Sequence, residues 1–197
     1  MYTSLFPEED HSPAGAGWYT AHCDGGSRGN PGPAGYGAVI EDPTGNIAAR
    51  LGEFLGRQTN NYAEYQGLLA VLQWAIGQNV QKLRIYSDSE LMVNQMKGRY
   101  KIASPALRPL WEEAKRRAVR LEQFDMRHTL RGGNKEADRL ANEAMDRGMG
   151  KKSGSPMANP SVPGNARQAL EGYVKNGVIH LLEGELPEGT FVRVVPK

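Results

Sequence analysis

The chain has one cysteine, Cys23, and four histidines among its 197 residues. A lone cysteine excludes an intrachain disulfide and suits a reducing cytoplasm. So few His and Cys also leave no donor set for a zinc site. Long apolar runs are missing: none approaches the ~20 residues needed to span a bilayer, so no membrane partner is expected. Residues 1–17 carry Glu8, Glu9 and Asp10 without an apolar stretch, which reads as a flexible N-terminal segment rather than a secretory signal. Net charge is scarce as well, and a total of +2 is too small to name a partner.

The charge that is present is unevenly spread. Between residues 97 and 131 stand ten Lys and Arg against four acids, Glu112, Glu113, Glu122 and Asp125. A local basic face suits a polyanion such as nucleic acid; a solvated helix surface would look the same.

Alternation of apolar and polar residues predicts strands over 18–24, 36–40, 47–55, 83–87 and 124–130. The run from Gly25 to Pro33 reads as a dense turn, and Asp42-Pro43-Thr44-Gly45-Asn46 as a hairpin turn. Tyr65, Leu68, Leu69, Leu72 and Ile76 form one apolar helical stripe, preceded by the capping candidates Thr59, Asn60 and Asn61. A short helix is expected over 89–96 and a longer one over 105–121, with a final helix striped by Ala137, Leu140, Ala141, Ala144 and Met145. The order β-β-β-α-β-α-α-β-α implies an α/β fold, a mixed sheet with helices on its faces. Residues 149–169 are rich in Gly, Pro, Ser and Asn and read as a linker. Residues 170–197 regain alternation around Asn176-Gly177 and form a small β-rich extension. So short a piece buries little core, and is expected to dock on another surface or to self-associate with a second copy.

Four acids stand at element ends: Asp24 ends the first strand, Glu64 sits in the first turn of the long helix, Asp88 ends the fourth strand, and Asp138 opens the last helix. Each has a plain structural explanation. Asn61-x-x-Glu64 is a capping-box pattern, Asp138 complements a helix dipole, Asp88 could cap a helix and Asp24 could belong to a turn. Together, in a topology that can set the first and fourth strands side by side, they suit a site where hard cations neutralise clustered carboxylates. Oxygen donors favour Mg²⁺ or Mn²⁺.

The run Cys23-Asp24-Gly25-Gly26-Ser27-Arg28-Gly29-Asn30-Pro31-Gly32 resembles the first motif of type 1 ribonucleases H. Thr59-Asn60-Asn61-Tyr62-Ala63-Glu64 resembles the second, Tyr86-Ser87-Asp88-Ser89 the third, and the segment from Asn134 to Asn142 the fourth. The likeness covers residues 18–148, in order and at family-like spacing. It implies a ribonuclease H-like mixed five-stranded sheet flanked by helices. It also implies an endonuclease that hydrolyses the RNA strand of RNA–DNA hybrids, leaving 5′-phosphate and 3′-hydroxyl ends. Asp24, Glu64, Asp88 and Asp138 would be the catalytic carboxylates that hold two Mg²⁺ ions, with Mn²⁺ as substitute. Gly25, Gly26, Ser27, Asn30, Asn61 and Glu64 would lie along the minor groove, with Asn60 beside them, where 2′-hydroxyls mark RNA. Asn30 and Thr59 resemble the family's pocket for a DNA-strand phosphate.

Two departures stand out. The loop before the last acid is short, and His128 falls within the fifth strand. Arg131 sits nearer the place of the family's auxiliary histidine, and short-loop relatives carry arginine there. Arg131 is therefore the expected auxiliary group, while His22 reads as a strand histidine. The family's basic protrusion is absent as an inserted helix. Lys97, Arg99 and Lys101 occupy that place and would hold the DNA backbone, with more salt-sensitive binding. The extension resembles a short bacterial antitoxin-like β family through Asn176 to Ile179, Leu186 to Thr190, Val192 and Val194. Two other functions share the fold: a binding module that has lost its chemistry, and a strand-transfer nuclease. The four retained acids weigh against the first, and the Asp24-Gly25-Gly26-Ser27 and Thr59-Asn60-Asn61 signatures against the second.

Overall fold

The computed structural model describes residues 17–150, 172–175 and 178–181. Most of the expected N-terminal segment, linker and C-terminal extension lies outside the described residues. Two compact units are distinguished, Met1–Ala158 and Asn159–Lys197.

In the first unit, β1 (Tyr19–Ser27) pairs antiparallel with β2 (Gly32–Glu41), which pairs antiparallel with β3 (Ile47–Gln58). Helix α1 (Asn60–Gly77) crosses to β4 (Lys82–Ser87), which lies parallel to β1. Helices α2 (Glu90–Met96) and α3 (Arg108–Ala118) lead to β5 (Gln123–His128), parallel to β4. A 3₁₀ turn at Arg131–Gly133 then opens α4 (Lys135–Gly148). The sheet order is β3-β2-β1-β4-β5, the mixed five-stranded arrangement expected. No helix among the described residues is long and apolar enough to cross a membrane.

Helices cover both faces of the sheet. Tyr65, Leu68, Leu69 and Leu72 of α1 join Ala21, Cys23, Ala38 and Ile40 in one core cluster with Met92, Met96, Ala114 and Ala118. Leu68 and Leu72 are fully buried, each stabilising by about 1.5–3 kcal/mol, and Leu72→Ala would cost about 2–5 kcal/mol. On the other face α4 buries Ala137, Leu140, Ala141, Ala144 and Met145 against β2 and β3. Its closeness requires glycine at position 37, where a Cβ would lie 2.3 Å from the Ala137 carbonyl oxygen and 2.4 Å from the Ala141 nitrogen. In the second unit, β6 (Gly172–Lys175) and β7 (Val178–Leu181) pair antiparallel on either side of residues 176–177.

Three local expectations are corrected. The glycine run does not leave the sheet at Gly25: β1 continues to Ser27 and β2 begins at Gly32, with Gly26 opposite Gly35. Helix α1 is capped by Thr59, whose Oγ1 accepts from the Tyr62 nitrogen at 3.3 Å, so Asn61-x-x-Glu64 is not a capping box. Helix α3 starts at Arg108, later than residue 105, because Pro109 belongs at a helix start, where its missing N–H costs nothing.

Candidate active site

Four elements bring the four acids to one cleft. Asp24 lies in β1, Glu64 in the second turn of α1, Asp88 just past β4, and Asp138 in the first turn of α4. The parallel pairing of β1 with β4, which sets His22 opposite Tyr86, carries Asp24 within β1 level with Asp88 just past the end of β4. The cleft is lined by Asp24, Gly25, Gly26, Asn60, Glu64, Asp88, Asn134, Lys135 and Asp138.

Glycine at position 25 makes this convergence possible. A Cβ there would stand 2.2 Å from the Ala63 carbonyl carbon and 2.2 Å from the Glu64 nitrogen. The start of α1 therefore rests on the β1 backbone, which carries Glu64 to Asp24. The close approach that calls for glycine at position 25 is intramolecular.

Burial and mutual repulsion act on the acids. Loss of solvent raises Asp24 from an ordinary 3.8 to about 7, helped by the charge of Asp88 and opposed by the Gly25 N–H, which donates to Asp24 Oδ1 at 2.8 Å. Glu64 is likewise raised from 4.5 to about 7, chiefly by burial; the Ser89 hydroxyl and the Asn60 amide oppose the rise. Asn60 Nδ2 donates to Glu64 Oε1 at 2.8 Å, and Ser89 Oγ to Oε2 at 2.5 Å. Asn142 Nδ2 donates to Asp138 Oδ1 at 3.1 Å.

Asn134, which opens the fourth motif, is a further participant that was not among the expected site residues. It is 2% exposed. Its Nδ2 donates to the Cys23 carbonyl at 3.0 Å and, at 3.4 Å, to Asp88 Oδ1, while its Oδ1 is buried without a hydrogen-bond partner among the described residues. The available signal was its place one residue before the helix that carries Asp138.

The other candidates divide. Gly25, Gly26 and Asn60 line the cleft with the acids. Asn30 and Thr59 meet beside it, at the start of α1, where the Asn60 nitrogen donates to Asn30 Oδ1 at 3.2 Å. Ser27 turns its hydroxyl to the Gln58 carbonyl at 2.8 Å, and Asn61 lies in the first turn of α1, outside the cleft lining. Lys97, Arg99 and Lys101 sit in and after the α2 C-terminal cap, away from the cleft lining. The backbone of Arg131 opens the 3₁₀ turn beside the cleft residue Asn134; its side chain lies outside what the structure describes. His128 ends β5 opposite Ser87. His22 stacks on Tyr86 at 5.1 Å, and burial lowers its pKa. Cys23 is fully buried, and burial pushes its thiol far up, which leaves it an inert neutral group.

The donor set fits hard divalent ions. It consists of carboxylate oxygens, two of them desolvated enough that ionising both without a counter-charge is unfavourable. Among the described residues no three acidic, His or Cys side chains are gathered tightly enough to enclose an ion alone.

A family profile described as reverse transcriptase-like matches residues 22–144. Ribonuclease HI of Halobacterium salinarum is 39% identical over 126 residues, 64% of this chain and 63% of that protein. The N-terminal RNase H domain of the Mycobacterium tuberculosis protein Rv2228c, solved as a fusion, superposes with a TM-score of 0.64 at 42% identity, covering 66% of this chain and 99% of that one. LC11-RNase H1, solved in complex with an RNA/DNA hybrid, gives a TM-score of 0.63 at 34% identity, again covering 66% and 99%. The chain spans about a third (34%) of the length of the mycobacterial relatives that it matches at 44% identity.

Proposed function

The chain belongs to the type 1 ribonuclease H family, and we propose that it is an endonuclease hydrolysing the RNA strand of RNA–DNA hybrids to 5′-phosphate and 3′-hydroxyl ends. The observation that carries this reading is the cleft in which Asp24, Glu64, Asp88 and Asp138 arrive from four separate elements. A relative with the same fold has been solved with an RNA/DNA hybrid, which supports the substrate class.

Asp24, Glu64, Asp88 and Asp138 would hold two Mg²⁺ ions, or Mn²⁺ in their place. Such ions, when bound, supply Lewis acidity at the scissile phosphate and lower the pKa of the attacking water. The protein's own contribution is placement. Asp24 and Asp88 present neighbouring carboxylates from parallel strands. Asn134 ties Asp88 to the β1 backbone through Cys23. The backbone of Gly25 and Gly26 lines the cleft, where a sugar edge would reach it. Asn30 and Thr59 would take a phosphate of the DNA strand at the α1 start, Ser27 and Asn61 would flank the groove, and Lys97, Arg99 and Lys101 would meet the DNA backbone further along. Arg131 would act on the reacting phosphate by charge. A cytoplasmic setting fits the single cysteine.

The test is incubation with labelled RNA–DNA hybrid, duplex DNA and duplex RNA, with and without Mg²⁺, comparing the native chain with Asp88→Asn. Cleavage confined to the RNA of the hybrid, dependent on the ion and lost in the variant, is the expected result. Hybrid binding without cleavage in Mg²⁺ or Mn²⁺ would turn the reading to a binding module. Cleavage or joining of duplex DNA would turn it to strand transfer.

A further inference from the structure

Glu64 is held by a side-chain donor on each oxygen. Asn60, one turn earlier on α1, donates to Oε1 at 2.8 Å, and Ser89, from the start of α2, donates to Oε2 at 2.5 Å. Ser89 is buried (8% exposed) and its Oγ also accepts from the Met92 nitrogen at 3.3 Å, capping α2. Its one hydroxyl thus does two jobs. The cap uses a lone pair, which Asp, Asn or Thr could equally supply. The proton is free of that duty, and it goes to Glu64.

A carboxylate has about four acceptor positions. The two donors occupy one on each oxygen, which fixes the carboxylate plane and leaves a position on each for the cleft that Glu64 lines. A glutamate otherwise free to rotate would have to be ordered each time an ion bound. Outer partners that orient a ligand commonly change metal affinity when removed, by ~10- to 100-fold.

From this geometry we infer that Ser89 is a positioning residue, with Asn60 as its counterpart on the other oxygen: together they preset the Glu64 carboxylate to receive a divalent ion. The inference rests on the reading of the cleft as a divalent-ion site. It adds that a residue outside the cleft lining sets the affinity of that site.

The experiment is calorimetric or spin-resonance titration of the metal-free full chain with Mn²⁺, for the native protein and for Ser89→Gly, Ser89→Ala and Ser89→Thr. Glycine is tolerated at a helix N-cap with only a small loss, so Ser89→Gly removes the proton donor while largely sparing the helix. Ser89→Ala, which keeps Cβ, serves if the glycine variant does not fold. Mn²⁺ affinity is expected to fall at least ~10-fold in the glycine and alanine variants and to return with threonine, which restores both cap and donor. The Mg²⁺ concentration for half-maximal cleavage should rise by a similar factor. Native affinity in Ser89→Gly or Ser89→Ala would overturn the inference, and so would a threonine variant as weak as they are. If the native chain itself binds no Mn²⁺, the ion-site reading fails first and the inference falls with it.

Discussion

Replacing Asp24 by Asn should stabilise the metal-free protein while abolishing its activity. Folding raises the Asp24 carboxyl from 3.8 to about 7, with burial the first cause and Asp88 the second. At ~1.4 kcal/mol per pH unit, ionising it in the folded state costs up to about 4 kcal/mol at pH 8. Part of that cost is shared with Asp88, Asp138 and Glu64, whose charges relax when one is removed, so a net gain of about 1–3 kcal/mol is expected in the variant. Asparagine keeps an Oδ1 to accept from the Gly25 N–H, so no hydrogen bond is lost. At about 2–4 °C per kcal/mol, Tm should rise by roughly 2–12 °C.

The sign of the pH dependence follows from the direction of the shift. A carboxyl with a raised folded pKa is protonated at no cost below its unfolded value near 4. The penalty grows between pH ~4 and ~7 and is complete above that. Thermal unfolding in EDTA at pH 8 and pH 4.5 is the assay. The native chain should lose stability from the raised carboxyls as pH increases, and the Tm advantage of Asp24→Asn should be large at pH 8 and shrink at pH 4.5. Mg²⁺ at pH 8 should raise the native Tm by mass action and the variant's less. A variant less stable than native at pH 8, or equally stabilised at both pH values, would refute the reasoning.

Gly25→Ala should lose at least ~3 kcal/mol of stability, because its Cβ would fall 2.2 Å from backbone atoms of Ala63 and Glu64; denaturant unfolding would reveal this, and a near-native midpoint would contradict the contact. Changing Lys97, Arg99 and Lys101 together to alanine should lessen the slope of log affinity for hybrid against log salt by roughly 2 to 3, if each meets a phosphate; an unaltered slope would remove the loop from the interface. Arg131→Ala should lower kcat by at least ~10-fold with little change in hybrid affinity, whereas His128→Ala should not; the reverse pattern in steady-state kinetics would assign the auxiliary role to His128.

The juxtaposition of Asp24 and Asp88 was legible because it depends on topology alone. Three strands followed by helical crossovers allow the first and fourth strands to be neighbours, which sets Asp24 in β1 beside Asp88 at the end of β4. Features that depend on which atom faces which across the sheet were not legible. Thr59, Asn60 and Asn61 are three successive capping candidates, and composition does not rank them; geometry gives the cap to Thr59 and frees Asn60 to bind Glu64. Ser89 looks like an ordinary helix cap until Glu64, 25 residues earlier, is seen at its hydroxyl. Asn134 likewise gains its meaning from Cys23, 111 residues away.

Gly25 shows why the fold and the site have to be explained together. In the sequence it belongs to a glycine-rich turn, and by resemblance to a substrate groove. In the structure it remains in β1 and lets the first turns of α1 rest on the strand. That contact brings Glu64 into the cleft beside Asp24, where burial raises both pKa values and the charge of Asp88 adds to each. A side chain at position 25 would push the start of α1, and Glu64 with it, away from β1, and the ion-binding geometry would be lost. The destabilising cluster is therefore built in by close backbone packing, and a cation bound there would offset it. The same logic predicts opposite stability effects at adjacent positions: Asp24→Asn should raise Tm in EDTA and Gly25→Ala should lower it, though both end catalysis.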